Sequence, residues 1–247
     1  MDFYNEIFKR KSFHIFKETE KISGEEINEL EDFITTLTPL CSEIKTEIKI
    51  VKEEETTCKR GGEYCVLFYS EIKEKYLRNI GFLGEQVDLY LASKNIGALW
   101  YGVGKTEIKS EFGLEFIIMI NISKMPENKF RKDMFKAKRK ALSEVWSGGT
   151  LNIADVLRFA PSACNTQPWI TENRGGKLAV FRYKKTGKRG IMPADKVIYY
   201  NRIDMGIYLY FLETLLKHEK LSFERTLFPD SSTDDMEKTL VAEYLLK

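Results

Sequence analysis

Ala160-Pro161-Ser162-Ala163-Cys164-Asn165-Thr166-Gln167-Pro168-Trp169 is the most informative stretch of this 247-residue chain. Pro161 has no N–H with which to continue a backbone ladder, and Pro168 predicts an extended Gln167. Between the prolines lie small side chains, an amide and free backbone N–H groups. Such a surface can approach a flat polar heterocycle closely and offer donors and acceptors to its edge. Trp169 is an apolar anchor for the strand that should follow. Proline-flanked loops are more often plain connections than sites, so the remaining sequence has to decide.

Outward from that loop, helical and strand patterns alternate. A first helix from Asp2 to about Phe8, with Phe3, Ile7 and Phe8 on one face, runs into Arg10-Lys11-Ser12. Ser23-Gly24-Glu25-Glu26 is a capping box. It opens a helix whose apolar stripe is Ile27, Leu30, Phe33, Ile34 and Leu37, stopped by Pro39. Glu47 to Val51 alternates as a half-wet strand, and Tyr64 to Tyr69 reads as a buried one. A longer helix is expected from about Gly84 to Asn95, with Gly97 as its C-cap. Ala98-Leu99-Trp100-Tyr101-Gly102 and a buried strand, Phe116 to Ile122, come next. Pro126 and the charges behind it mark a break. The second set comprises helix Ile153 to Phe159, strands Leu178 to Tyr183 and Val197 to Tyr200, helix Gly206 to Lys217, and a last strand near Val241 to Leu246.

Laying Pro161 over Pro39 also lays Gly206 over Gly84. The chain is therefore read as two similar halves, residues 1–125 and 126–247; the alternative is one α+β domain with chance similarity.

Composition narrows the classes. Hydrophobic content of 43% supports an ordinary core and argues against disorder. The balance of 39 Lys+Arg against 37 Asp+Glu lacks the basic excess of a nucleic-acid module. The basic run from Lys129 to Lys140 reads first as a wet face. Met1 to Glu6 is neither basic nor followed by an apolar segment, so no signal peptide is expected. Phe116-Ile117-Ile118-Met119-Ile120 is far shorter than the roughly 20 apolar residues of a membrane span. Cys41, Cys58, Cys65 and Cys164 form no CxxC pair, and with only His14 and His218 beside them a metal site is not expected. A cytoplasmic protein with reduced thiols is the plain reading. Gly102-Val103-Gly104-Lys105-Thr106 ends like a phosphate-binding P-loop, but Leu99 stands where the first glycine belongs.

Arg10-Lys11-Ser12, Ile96 to Gly102 and Ala160 to Trp169 together resemble the FMN-dependent nitroreductase family, and most closely its double-length type. Proline-serine-x-x-asparagine-x-glutamine-proline-tryptophan is that family's most specific signature. Lys138-Arg139-Lys140-Ala141-Leu142-Ser143-Glu144 resembles a late family segment, with Ala141 in place of the usual proline. The resemblance implies an α+β fold of mainly antiparallel sheets flanked by helices. It also implies sites shared between two units, one gripping phosphate and ring while the other lends its proline-serine loop. Here Thr38-Pro39-Leu40 lacks the polar residues and the intact loop lies in the second half, so the chain resembles a fused pseudo-dimer that has kept one FMN site. Such a fusion removes the usual need for a partner subunit and allows a monomer, while the sequence leaves the oligomeric state open.

By this resemblance Arg10, Lys11, Ser12 and Arg139 hold phosphate. Trp100, Tyr101 and Gly102 lie beside the ring, although Trp100 also reads as core. Pro161, Ser162, Ala163 and Asn165 meet the pyrimidine side or ribityl chain. Cys164 is read as filler, and no side-chain catalyst is required. The implied activity passes electrons from NADH or NADPH through FMN to nitroaromatics, quinones or similar small acceptors. The alternative is a flavin-binding protein without turnover, for storage or sensing.

Overall fold

The computed structural model describes residues 2–183, 192–230 and 237–247. Along the chain run α1 (Tyr4–Lys9), α2 (Gly24–Thr35), β1 (Thr46–Lys52), β2 (Tyr64–Ser70), α3 (Tyr76–Ser93), β3 (Ile96–Tyr101) and β4 (Glu115–Lys124). The second half adds α4 (Leu142–Val145), β5 (Trp146–Gly148), α5 (Ala154–Leu157), β6 (Trp169–Asn173), β7 (Lys177–Tyr183), α6 (Val197–His218), β8 (Phe223–Leu227) and β9 (Lys238–Leu246). One sheet has the order β1-β2-β4-β3 and the other β5-β6-β7-β9-β8. Every pairing is antiparallel except β5 with β6.

Leaving β5 aside, the two sheets share one plan. In each, a long helix joins the second strand to the third, and a register shift interrupts the pairing of second strand with fourth, between Phe68 and Tyr69 in one and Val180 and Phe181 in the other. The long helices, α3 and α6, pack on each other in the centre, and one apolar cluster extends from Phe3 to Tyr244 across both halves.

Their contact is set by two glycines. A Cβ on Gly81 would lie 2.0 Å from the Ile203 carbonyl oxygen, and one on Gly206 would lie 2.0 Å from that of Arg78. Each glycine thus faces the carbonyl three residues before the other. Backbones this close leave no room for a side chain, which accounts for glycine inside helices where it otherwise costs stability. The sequence repeat lays Gly84 over Gly206 as the two helix-opening glycines. The crossing instead uses Gly81, while Gly84 admits the Trp100 ring, whose Cη2 would sit 2.4 Å from an added Cβ.

Several local expectations hold. Ser23 Oγ accepts from Glu26 N while the Glu26 carboxylate accepts from Ser23 N, so the capping box is formed. Others need correction. Val197 to Tyr200, read as a strand from its β-branched and aromatic residues, is the first turn of α6. Tertiary contacts override that propensity, because Tyr199 donates its hydroxyl to the Ile117 carbonyl and Tyr200 donates to that of Gly102. α3 begins at Tyr76, eight residues before Gly84, since almost every one of its faces is buried and no amphipathic stripe marks its start. Gly97 lies inside β3 against Phe13 and Met125, and the left-handed residue after α3 is Asn95, at φ 56°.

Replacing either crossing glycine forces two backbones apart. Gly81→Ala and Gly206→Ala are each expected to lower unfolding free energy by about 1–3 kcal/mol in urea titrations. Gly24→Ala, with nothing within 4 Å of the new methyl, should raise it by roughly 0.5–1 kcal/mol.

Candidate functional site

A cavity of about 460 Å³ opens where the two halves meet. Its floor is β3, the edge strand of the first sheet, continued by Gly102 and Val103. The N-terminal segment runs parallel to that edge, with Ser12 bridged to Ala98 and Phe13 N donating to the Ala98 carbonyl at 3.0 Å. This brings Arg10, Ser12 and His14 to one wall. Pro161, Ser162, Ala163 and Cys164 form another, backed by Tyr200, Ile203, Asp204 and Ile207 of α6.

Arg10 is buried, at 4% exposure, and donates from Nε to Asp88 Oδ2 at 2.8 Å and from a terminal nitrogen to Ser12 Oγ at 3.2 Å. Trp100 Nε1 donates to the same Asp88 oxygen at 2.8 Å. Burial alone would lower the Arg10 pKa, but Asp88, with Glu85 3.9 Å away, outweighs it and holds the guanidinium charged. Glu85 has neither carboxyl oxygen hydrogen-bonded. Burial and then the Asp88 charge drive its pKa well above the carboxylate range. A guanidinium paired with one carboxylate, beside a second carboxyl whose charged form burial disfavours, is the arrangement a dry interior tolerates.

The proline-serine loop is a tight turn over Ala163–Asn165, with Cys164, Asn165 and Gln167 at φ 50°, 57° and 48°. Three side-chain-bearing residues in the left-handed region persist only because many bonds hold them. Ala163 N donates to Asp204 Oδ1 at 2.9 Å, Gln167 N to Ser162 Oγ at 2.9 Å, and Lys140 N to Gln167 Oε1 at 2.8 Å. These clamps impose the positive φ of Gln167 in place of the extended backbone expected before Pro168.

Of the residues singled out in the sequence, Arg10, Ser12, Trp100, Tyr101, Gly102, Pro161, Ser162 and Ala163 line this one cavity. Lys11 turns away: its ammonium donates to the Lys129 carbonyl at 2.5 Å and sits 4.7 Å over the Phe13 ring. Asn165 and Arg139 are not among the lining residues and bind each other, Arg139 donating to Asn165 Oδ1 at 3.0 Å. Arg139 also donates to the Phe159 carbonyl at 3.2 Å, yet its Nε is buried without a partner. Burial, and then repulsion from Arg10, Arg131 and Arg158, brings its pKa down to about 10. Arg131 is lowered by burial and by Arg10. Among the described residues, neither Arg131 nor Arg139 has an ion-pair partner. The cluster lacks negative charge, and an anion with several acceptor oxygens matches what it needs. No group of side chains suited to a metal occurs among the described residues, and no helix among them is long and apolar enough to cross a membrane.

A family model described as "Putative TM nitroreductase" matches residues 2–215. The chain belongs to this nitroreductase family, and with it to the oxidoreductases. The crystal structure of the "putative nitroreductase (tm1586)" from Thermotoga maritima MSB8 is 18% identical and covers 100% of this chain and 93% of its own, with a TM-score of 0.62. A nitroreductase family protein from Clostridium difficile 630 is 13% identical and covers 60% and 99%, at 0.44. A "Putative NADH dehydrogenase/NAD(P)H nitroreductase" from Bacteroides thetaiotaomicron VPI-5482 is 11% identical and covers 55% and 92%, at 0.42. No curated protein sequence matches the chain. The α+β fold with antiparallel sheets and helices, inferred from short motifs, is the fold of this nitroreductase.

Other members of the site escaped the sequence reading. Tyr200 was assigned to a strand, though its hydroxyl bonds to the Gly102 carbonyl at 2.6 Å and its ring fills the space a Gly102 Cβ would take. Asp204 is an acid within the apolar run that becomes α6, a visible signal left unused. Arg131 was counted with the wet basic run, His14 was weighed only as a metal ligand, and Arg60 carried no motif.

Asp88 is the keystone of the wall that carries Arg10 and Trp100. Asp88→Ala is expected to destabilise the protein by about 3–5 kcal/mol in chemical denaturation, because it strands the buried Arg10 charge. Glu85→Gln should cost far less than Asp88→Ala, since neither Glu85 oxygen accepts a hydrogen bond and burial already disfavours its charged form.

Proposed function

We propose that this nitroreductase is an FMN-dependent oxidoreductase that passes electrons from NADH or NADPH to nitroaromatics, quinones or similar small acceptors. One observation carries the reading: a single cavity draws Arg10 and Ser12 from one end of the chain and Pro161 to Ala163 from the other, beside arginines that lack counter-ions. The fit to FMN rests on the donor set. The orphaned Arg139 Nε and the unpaired Arg131 suit a phosphate dianion, and the volume falls within the roughly 300–1,000 Å³ of small-molecule sites.

When bound, the flavin supplies the hydride and electron chemistry. The protein supplies position. Asp88 fixes Arg10 for the phosphate and fixes Trp100 beneath β3. Ser12 is presented by its bridge to the strand edge. Tyr200 occupies the Gly102 carbonyl and thereby orients the turn after Tyr101, the wall assigned to the ring. Ser162 and Ala163 close the opposite side, and Asn165 acts through Arg139.

We also read the chain as a fused pseudo-dimer of halves 1–125 and 126–247 that works as a monomer. The shared sheet plan and the reciprocal glycines support this. So does a second cavity beside Thr38 and Pro39, in the place the missing twin site would take. There the Gln86 side chain accepts from Thr38 N and donates to the Thr38 carbonyl, while Lys94, Lys217 and Arg225 are all paired with Glu29 or Glu213. That cavity offers no unpaired lining cation to a phosphate. Four unbridged cysteines suit a cytoplasmic setting.

Purified protein is expected to be yellow and to bleach anaerobically with NADH or NADPH. Yellow protein inert to both nucleotides would favour storage or sensing, and colourless protein that ignores added FMN would reject both readings. Arg139→Gln should fold normally yet weaken FMN binding by about 1.5–3 kcal/mol in fluorescence titration, the size of a hydrogen bond to a charged group.

A further inference from the structure

Asp204 combines two features that the flavin reading leaves unused. It lies on the cavity wall, and it holds the proline-serine loop, accepting from Ala163 N at 2.9 Å and from Thr166 Oγ1 at 3.3 Å. The other half performs the same task without an acid. Asn79 Oδ1, on α3, accepts from Cys41 N at 3.0 Å, two residues after Pro39 as Ala163 is two after Pro161. Relative to the crossing glycines the two side chains are equivalent, each two positions before Gly81 or Gly206. An amide therefore suffices to hold such a loop. The half that faces the cavity carries an ionisable group in its place.

We infer that Asp204 is a positioning residue that keeps its proton when flavin is seated, so that it links flavin affinity to pH. The inference rests on the flavin reading above. Asp204 is 2% exposed and, among the described residues, has no cation within ion-pair distance. Its cavity neighbours that carry or acquire charge are Arg10, His14 and Arg60 across the space, Tyr101 on β3, Cys164 on the loop and Tyr200 one turn earlier on α6. From α3, Arg78 is committed to Asp230. Burial dominates the Asp204 titration and, against the two hydrogen bonds it accepts, brings its pKa up to about 8.

A bound flavin displaces remaining water and adds negative charge, and both effects favour the neutral carboxyl further. The sign follows by linkage. The complex then binds more protons than the free protein, so affinity falls as pH rises past the free carboxyl's pKa.

Two measurements test this on the full chain with FMN as the probe. Between pH 7 and pH 9 the wild-type dissociation constant should rise about tenfold, while that of Asp204→Asn, which copies Asn79, should change less than about threefold. Thermal unfolding should show the variant at least as stable as wild type at pH 7, since it no longer buries a group that must hold a proton. Calorimetry of wild-type protein at pH 8, in buffers of different ionisation enthalpy, should find about half a proton taken up per FMN. Equal pH dependence in both proteins would overturn the inference while leaving the flavin reading standing. Failure of FMN to bind at any pH would overturn both. Should Asp204→Asn not fold, wild-type binding without proton uptake would by itself overturn the inference.

Discussion

The rest of the molecule depends on the crossing of α3 and α6 at Gly81 and Gly206. Where two helices touch backbone to backbone, small changes in separation move everything attached to them. α3 carries Asp88 and hence Arg10 and Trp100, while α6 carries Asp204 and Tyr200 and hence the proline-serine loop and the Gly102 turn. The two walls of the cavity are thus mounted on opposite sides of one contact. Close-packed interiors transmit displacement rather than absorb it, so the cavity's width is fixed far below its mouth.

Electrostatics set the second constraint. Arginines gathered in a low-dielectric interior lose hydration and repel one another. The protein divides that burden. Arg10 is neutralised by Asp88 and burial disfavours charge on Glu85 beside them, while Arg131 and Arg139 have no ion-pair partner among the described residues and shift downward in pKa. Unpaired buried arginines are costly, a cost that the proposed phosphate would relieve. Lys94, Lys217 and Arg225 in the second cavity are already matched to carboxylates and lack this tension.

Much of the architecture was legible along the chain. The capping box at Ser23, the alternation of β1 and the apolar runs of β2 and β4 are local signals, written in residues that touch near neighbours. Arg10-Lys11-Ser12 and the loop after Pro161 were legible as motifs. Yet Lys11 and Asn165 show the limit of a motif, since neither reaches the cavity lining. The start of α3 is hard to read because a helix buried on every side loses the polar face that gives a helical period its contrast. Val197 to Tyr200 has strand-like residues in a helix because its tyrosine hydroxyls are bonded to the opposite half.

By itself the sequence determined the element types wherever one face meets water, the loop chemistry between Pro161 and Pro168, and the family to which the chain belongs. Only the tertiary structure decided that Gly81 rather than Gly84 faces Gly206, that Asp204 supports the loop, and that Arg131 joins Arg10 and Arg139. Periodicity records how a residue sits relative to its own helix or strand. It carries no record of which distant backbone comes within 2 Å, or of which buried charge finds no partner, because those depend on segments folded together from opposite ends of the chain.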